Sequence, residues 1–206
     1  MHYLFSAIVG YGFGCIQASY LISRFFLRDD IREKGNGNAG ASNMTLAYGK
    51  KYGGLVAVID ILKAFAALWI LRIIFHGDVL LGHYTYTAGF FVILGHDFPF
   101  FMDFKGGKGT ASLIGMLLGL NLILGLVGMF VFVLVSLLTD YIVLGTFGLL
   151  LVLLLGTYLG HYGILPLVIS LWIVLLSVYK HKKNVISILK GEEKHVKSTL
   201  FKKSNE

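Results

Sequence analysis

Charge is scarce in this chain. Only 14% of its 206 residues are Asp, Glu, Lys or Arg, against roughly a quarter in an average soluble domain, while 56% are hydrophobic. Mean hydropathy is strongly positive, so the bilayer rather than water is the expected solvent. The chain also has little cysteine. Cys15 is its one thiol, which rules out an internal disulfide, and inside an apolar run it reads as a small packing residue. The opening Met-His-Tyr-Leu has no basic stretch and no small-residue cleavage site before Arg24, so the first apolar run reads as a retained span. No repeat at a period of roughly 20–50 residues is visible. No low-complexity linker or metal-ligand cluster appears either. The expectation is one domain over residues 1–185, followed by a basic tail over 186–206, with no cofactor.

What the chain has is long apolar stretches, over residues 3–23, 54–75, 84–101, 110–138 and 141–179. A crossing needs roughly 17–25 such residues. The run 110–138 would be about 44 Å long as one helix, against roughly 30 Å of hydrocarbon, and Gly119, Asn121, Gly125 and Gly128 interrupt it. It reads as two segments, the first short and shielded by protein. The run 141–179 breaks around residues 160–166. The fold class expected is therefore all-α membrane, a polytopic bundle of about seven transmembrane segments.

Basic residues set the orientation. The net charge of +7 could suit nucleic acid, but the basic residues lie between and after the spans, as membrane topology requires. Arg24, Arg28, Arg32, Lys34, Lys50 and Lys51 fall in the first connection, Lys105 and Lys108 follow span three, and the tail is Lys-rich. Placing these in the cytoplasm puts the N-terminus outside and the C-terminus cytoplasmic. Arg72, near the outer end of span two, is an exception that snorkelling would accommodate. The pairs Gly10/Gly14, Gly115/Gly119 and Gly156/Gly160 have the spacing at which helix backbones approach closely.

Polar tracts stand at the cytoplasmic ends of these spans. Residues 35–43 read Gly-Asn-Gly-Asn-Ala-Gly-Ala-Ser-Asn, either a turn-rich linker or a cradle of converging N–H donors for an anion. Phe104-Lys105-Gly106-Gly107-Lys108-Gly109-Thr110 runs straight into an apolar segment. That juxtaposes backbone amides, a helix N-terminus and two ammonium groups, suitable chemistry for phosphate, or else two ordinary lysines in a turn. It is not a Walker A loop, because Lys108 is followed by Gly109. Asp60 and Lys63 share a helix face inside span two, as a structural ion pair or as part of a binding site. His96 closes span three within Gly95-His96-Asp97-Phe98-Pro99, and Lys180-His181-Lys182-Lys183-Asn184 ends the last span.

Taken in order, these tracts resemble the bacterial acyl-phosphate:glycerol-3-phosphate acyltransferase family. The likeness rests on Asp30-Ile31-Arg32, Gly35-x-Gly37-Asn38-x-Gly40-Ala41-Ser42-Asn43, Asp60-x-x-Lys63, Gly95-His96-x-x-Pro99, Lys105-Gly106-Gly107-Lys108-Gly109 and His181-x-x-Asn184. It implies a seven-span enzyme of the bacterial inner membrane with a cytoplasmic active face. Such an enzyme moves a fatty acyl group from acyl phosphate to the 1-hydroxyl of glycerol 3-phosphate, giving lysophosphatidate. Carried over residue by residue, the resemblance implies catalytic roles for Lys105, Lys108 and His96. It also implies substrate or phosphate binding by Asn36, Gly37, Asn38, Gly40, Ala41, Ser42, Asn43, Gly106, Gly107, Gly109, His181 and Asn184. Asp60 and Lys63 are structural or binding residues. The partners implied are the two substrates and membrane lipids, with no nucleic acid.

The chain departs from the family at Cys15, Asn36, Leu46 and Val143, where the family pattern has serine, serine, arginine and serine. In the family the last three help hold glycerol 3-phosphate, so a different acceptor, or a paralogue without activity, stays open. A small-anion or lipid transporter is the alternative from another class, motivated by Asp60, Lys63 and the glycine-rich breaks, although transporters usually carry internal repeats. The other major glycerolipid acyltransferase type uses His-x-x-x-x-Asp, and none of the seven histidines has Asp five residues later.

Overall fold

The computed structural model describes residues 1–201, so the last five positions of the expected basic tail lie outside the described residues. Among the described residues every regular element is helical. These are α1 (His2–Gly14), α2 (Ala18–Phe25), α3 (Ala41–Tyr48), α4 (Lys50–Ile74), α5 (Leu81–Asp97), α6 (Thr110–Leu120), α7 (Leu122–Thr139), α8 (Ile142–Leu159), α9 (Ile164–Leu189) and α10 (Val196–Phe201), with short 3-10 turns at Ile31–Glu33 and Phe100–Met102. Five segments of the described chain are long and apolar enough to cross a membrane: His2–Phe25, Lys50–Ile74, Leu122–Thr139, Ile142–Leu159 and Ile164–Leu189. The 17-residue α5 and the 11-residue α6 are shorter. Phe130, Leu138, Leu159 and Trp172 stand exposed on outer faces, which lipid favours and water does not.

Both expected breaks occur, and each has a local cause. Asn121 adopts an extended backbone between α6 and α7, and its side chain accepts a hydrogen bond from Leu124 N–H at 3.0 Å, capping α7. Arg72 does not merely snorkel. Its guanidinium donates to the Leu120 carbonyl, one of the unsatisfied groups at the end of α6. The chain breaks again between α8 and α9, at residues 160–163.

A third break was not expected. The first apolar run is two helices, α1 and α2, parted at Cys15–Gln17. Gln17 is fully buried, and its amide donates to the carbonyls of Gly14 at 3.2 Å, Gly95 at 3.4 Å and His96 at 3.0 Å. Lys63 comes from α4 to the same junction. Its ammonium donates to Ile16 O at 2.6 Å and Gly14 O at 3.2 Å, stands 2.7 Å from Asp60 Oδ1 and lies 2.9 Å from His96 Nδ1. The contact with Asp60 is an ion pair by distance and is not aligned as a hydrogen bond. An ammonium only donates, so His96 Nδ1 is the acceptor there.

Packing brings the polar tracts to one end of the bundle. α1 lies so close to α5 that a Cβ at Gly10 would strike the Ala88 carbonyl, and one at Gly14 the Val92 carbonyl. The main core joins α4, α5, α6, α8 and α9 through residues such as Leu68, Val92, Leu117, Leu149 and Ile173. A second, smaller core gathers Ile22, Ile31, Ala39, Met44, Val56 and Met102, which packs the first connecting loop against the second.

Replacing Lys63 by Met should destabilise the protein by about 3–5 kcal/mol, because it strands a buried carboxylate and two carbonyls. The double variant Asp60→Asn/Lys63→Met should recover part of that loss. Unfolding midpoints in one detergent, with denaturant, measure both. A Lys63→Met protein as stable as wild type would mean the junction is held by other contacts.

Candidate functional site

The first loop is internally braced rather than a free linker. Asp30 binds Arg32 through three side-chain contacts, Arg32 Nε to Oδ1 at 3.0 Å and to Oδ2 at 3.1 Å and Nη2 to Oδ2 at 2.7 Å, and also accepts from the Arg32 amide at 2.9 Å. The guanidinium holds the Asp30 carboxyl below its usual range. Asp29 accepts from Tyr48 Oη at 2.7 Å and pairs with Lys34 at 3.1 Å. Those partners, the tyrosine first, lower the Asp29 carboxyl, and burial together with Asp29 pushes the Tyr48 phenol up to about 12. Asn43, fully buried, donates to the carbonyls of Ile31 at 3.2 Å and Lys34 at 2.9 Å, and accepts from Asn36 N–H at 3.0 Å. Its side chain thus shapes the loop.

The other residues of that tract divide between core and surface, with Ala39 and Gly40 buried. Asn36, Gly37 and Ser42 are exposed, and Asn36 Oδ1 accepts from Asn38 N–H at 3.1 Å. Gly40 precedes α3 without a side-chain cap, so the first-turn N–H groups at Ala41, Ser42 and Asn43 lie outside the helix's own ladder. An anion placed there would meet donors and the positive end of a helix.

The second loop wraps around the end of α5. Gly106 and Gly107 turn their amides inward, to Asp97 O at 3.2 Å and His96 O at 2.9 Å, and a Cβ on either would collide with His96. These two amides, expected to be free for a ligand, instead close α5. The donors left for one belong to the next residues. Gly109 takes a left-handed conformation, φ +76°, and begins α6 without a side-chain cap, leaving the N–H groups of Thr110, Ala111 and Ser112 at an open helix N-terminus. His96 is buried behind this loop between Lys63 and Gly107.

The two lysines differ. Lys105 is exposed, whereas Lys108 is half-buried and donates to Asn184 Oδ1 on α9. Burial lowers the Lys108 ammonium, with Glu193 and Asp97 opposing and Lys180 and Lys183 reinforcing that effect. His181 is buried one turn before Asn184. Its Nδ1 lies 2.9 Å from the Ser177 carbonyl, which can only accept, so Nδ1 carries the hydrogen. Second loop, α6 and the end of α9 thus converge on Lys108.

Several residues of this region carried no usable sequence signal. Lys180 donates to Asp97 O at 2.9 Å and stands 4.5 Å from the Phe98 ring centroid. The Asp97 carboxylate is fully buried, and neither oxygen meets a hydrogen-bond donor among the described residues. Val143 is buried as the pattern of departures leaves it, but Thr146, one turn along α8, puts its hydroxyl 3.0 Å from that of Thr110 at the start of α6. Leu46 is half-buried on α3. Among the described residues no three His, Cys, Asp or Glu side chains gather as metal ligands do.

This end of the molecule is suited to stabilising negative charge by fixed donors and ammonium groups. The comparisons with known proteins agree with that chemistry. Residues 4–191 match the family model described as glycerol-3-phosphate acyltransferase. The chain is 38% identical to glycerol-3-phosphate acyltransferase 1 of Oceanobacillus iheyensis, over 100% of both chains. It is 39% identical to glycerol-3-phosphate acyltransferase 2 of Thermotoga maritima, over 95% of this chain and 96% of the relative. A crystal structure of PlsY (YgiH), an integral membrane glycerol 3-phosphate acyltransferase in its glycerol 3-phosphate form, superposes with a TM-score of 0.88 at 30% identity, covering 99% of this chain and 100% of the other. The lysophosphatidic acid form of that enzyme gives 0.83 at 31% identity, covering 98% and 100%. A family match over nearly the whole chain, full-length relatives and a shared membrane fold together place this multi-pass membrane protein in the glycerol-3-phosphate acyltransferase family.

Proposed function

We propose that the protein transfers a fatty acyl group from acyl phosphate to the 1-hydroxyl of glycerol 3-phosphate, yielding lysophosphatidate and inorganic phosphate. The observation that carries this reading is Lys108, half-buried beside the open N-terminus of α6 and hydrogen-bonded to Asn184. An acyl phosphate is already activated, so the site has to position two phosphate-bearing substrates and stabilise charge as the acyl carbon–oxygen bond to phosphate breaks. The hydroxyl attacks the acyl carbon, phosphate departs with the bonding electrons, and the hydroxyl proton ends on phosphate or solvent. In this reading Lys108, Lys105 and the α6 amides hold the donor phosphate. His96 and Asn43 set the shapes of the two loops, and residues 36–42, of which Asn36, Gly37 and Ser42 are exposed, contact substrate together with His181 and Asn184.

The same reading gives each connecting loop a side. Seven crossings, with α5 and α6 as the two short ones, put both polar loops and the C-terminus on the cytoplasmic face of a bacterial cell membrane and the N-terminus outside. What supports this is the charge distribution, since only this parity keeps the loop lysines and arginines together. In a Cys15→Ala background, Lys194→Cys should resist an impermeant thiol reagent in intact cells and react after lysis. Labelling in intact cells would overturn the orientation.

Lys108→Ala should lower kcat/KM for palmitoyl phosphate by about one to three orders of magnitude, as expected for losing a charge-assisted contact to a departing phosphate. Lys105→Ala should cost less, because Lys105 is exposed and screened. Turnover of radiolabelled glycerol 3-phosphate by purified wild type and variants measures both. Wild-type kinetics in both variants would sink the phosphate reading.

Asn36, Leu46 and Val143 supply no guanidinium or serine hydroxyl to the acceptor's phosphate. Leu46→Arg should therefore lower KM for glycerol 3-phosphate by about tenfold or more, the worth of one charged contact, with little change for the donor. Paired saturation curves test it. An unchanged KM would mean that another residue already holds the acceptor.

A further inference from the structure

The C-terminal strap reaches back to Lys108. After α9 ends at Leu189 the chain reverses at Gly191, φ +71°, and Glu192 N–H donates to Ser187 O at 2.8 Å. The strap is then fixed at the α7–α8 turn. Asp140 accepts from Val196 N–H through its carbonyl at 2.9 Å and from Lys197 N–H through its carboxylate at 2.7 Å. The same carboxylate lies 3.2 Å from His195 Nδ1, and the His195 ring stacks on Tyr141 with centroids 5.2 Å apart. Between these two anchors Glu193 Oε1 accepts from Asn184 Nδ2 at 2.7 Å.

The relay has one allowed direction. A carboxylate only accepts and an ammonium only donates, so the Asn184 carboxamide must give its NH2 to Glu193 and its oxygen to Lys108. With nothing at Glu193, the NH2 end of the amide loses its acceptor and only Lys108 still holds the group. We propose that Glu193 is a positioning residue for acyl transfer, orienting Asn184 so that Lys108 is held at the phosphate site. The proposal rests on the reading of Lys108 given above.

The charges around Lys108 make the relay electrostatic as well as geometric. Lys180 and Lys183 on α9 disfavour its ammonium, Asp97 on α5 and Glu193 on the strap favour it, and burial disfavours it most. Removing the carboxylate at 193 therefore makes Lys108 lose its proton at lower pH. A strap that only packed against the bundle would produce no such shift.

The test compares wild type, Glu193→Gln and Glu193→Ala as full-length proteins in one detergent. Glu193→Ala should lower kcat/KM for palmitoyl phosphate by about tenfold and move the alkaline limb of its pH profile downward. Glu193→Gln still accepts from Asn184 through its amide oxygen, so it should keep most of the rate at neutral pH yet share the alkaline shift. Competitive labelling of the Lys108 amine across pH, read by mass spectrometry, follows the same titration without turnover. It should show Lys108 reacting at lower pH in both variants. Unchanged labelling overturns the relay whether or not the protein turns over, and so does a lower KM in both variants, which would make Glu193 a competitor of phosphate. Shifted labelling in a protein that never forms lysophosphatidate would uphold the relay and refute the acyltransferase reading.

Discussion

A single buried ammonium organises this end of the molecule. In a low-dielectric interior Lys63 has to be surrounded by acceptors, and the acceptors it finds belong to three different parts of the chain. The carbonyls of Gly14 and Ile16 exist as free acceptors only because α1 stops short of α2. His96 is the residue around which Gly106 and Gly107 are wrapped. One cation therefore connects the broken first helix to the loop that leads into α6, and the position of the open α6 N-terminus follows from it.

Around that fixed point, glycine and asparagine are used in opposite senses. Gly106 and Gly107 bring the loop against His96 and direct their amides away from solvent, while Gly109 reverses the backbone and leaves the next amides unclaimed. In the first loop Asn43 folds inward as a brace, whereas Asn36 and Ser42 remain outside. Similar residue types in one tract thus divide into those that shape a loop and those that can meet a ligand.

That division marks the limit of what the sequence makes legible. The all-helical membrane architecture and the breaks near Asn121 and residues 160–163 are readable, because run lengths exceed a bilayer and polar or flexible residues mark the excess. The break at Gln17 is not, since its stabilising partners lie some fifty to eighty residues away on α4 and α5. The basic tracts and glycine loops identify the region of the site, but composition cannot say which amides face inward. Thr146 and Lys180 enter only through tertiary contacts, and the strap reads as a solvated basic tail until Asp140 and Asn184 are seen to hold it.

The backbone-to-backbone contact of α1 with α5 bears on how such a protein could move. Where Gly10 and Gly14 meet the carbonyls of Ala88 and Val92, no side chain lies between the helices that could change rotamer and absorb a displacement. Those two helices behave as one stiff plate. Any breathing that lets a long acyl chain slide in from the lipid must then occur where pliable side chains fill the seam, such as the contact of Leu124 on α7 with Gly156 on α8. The rigid pair keeps its charges in register while such side chains supply the give.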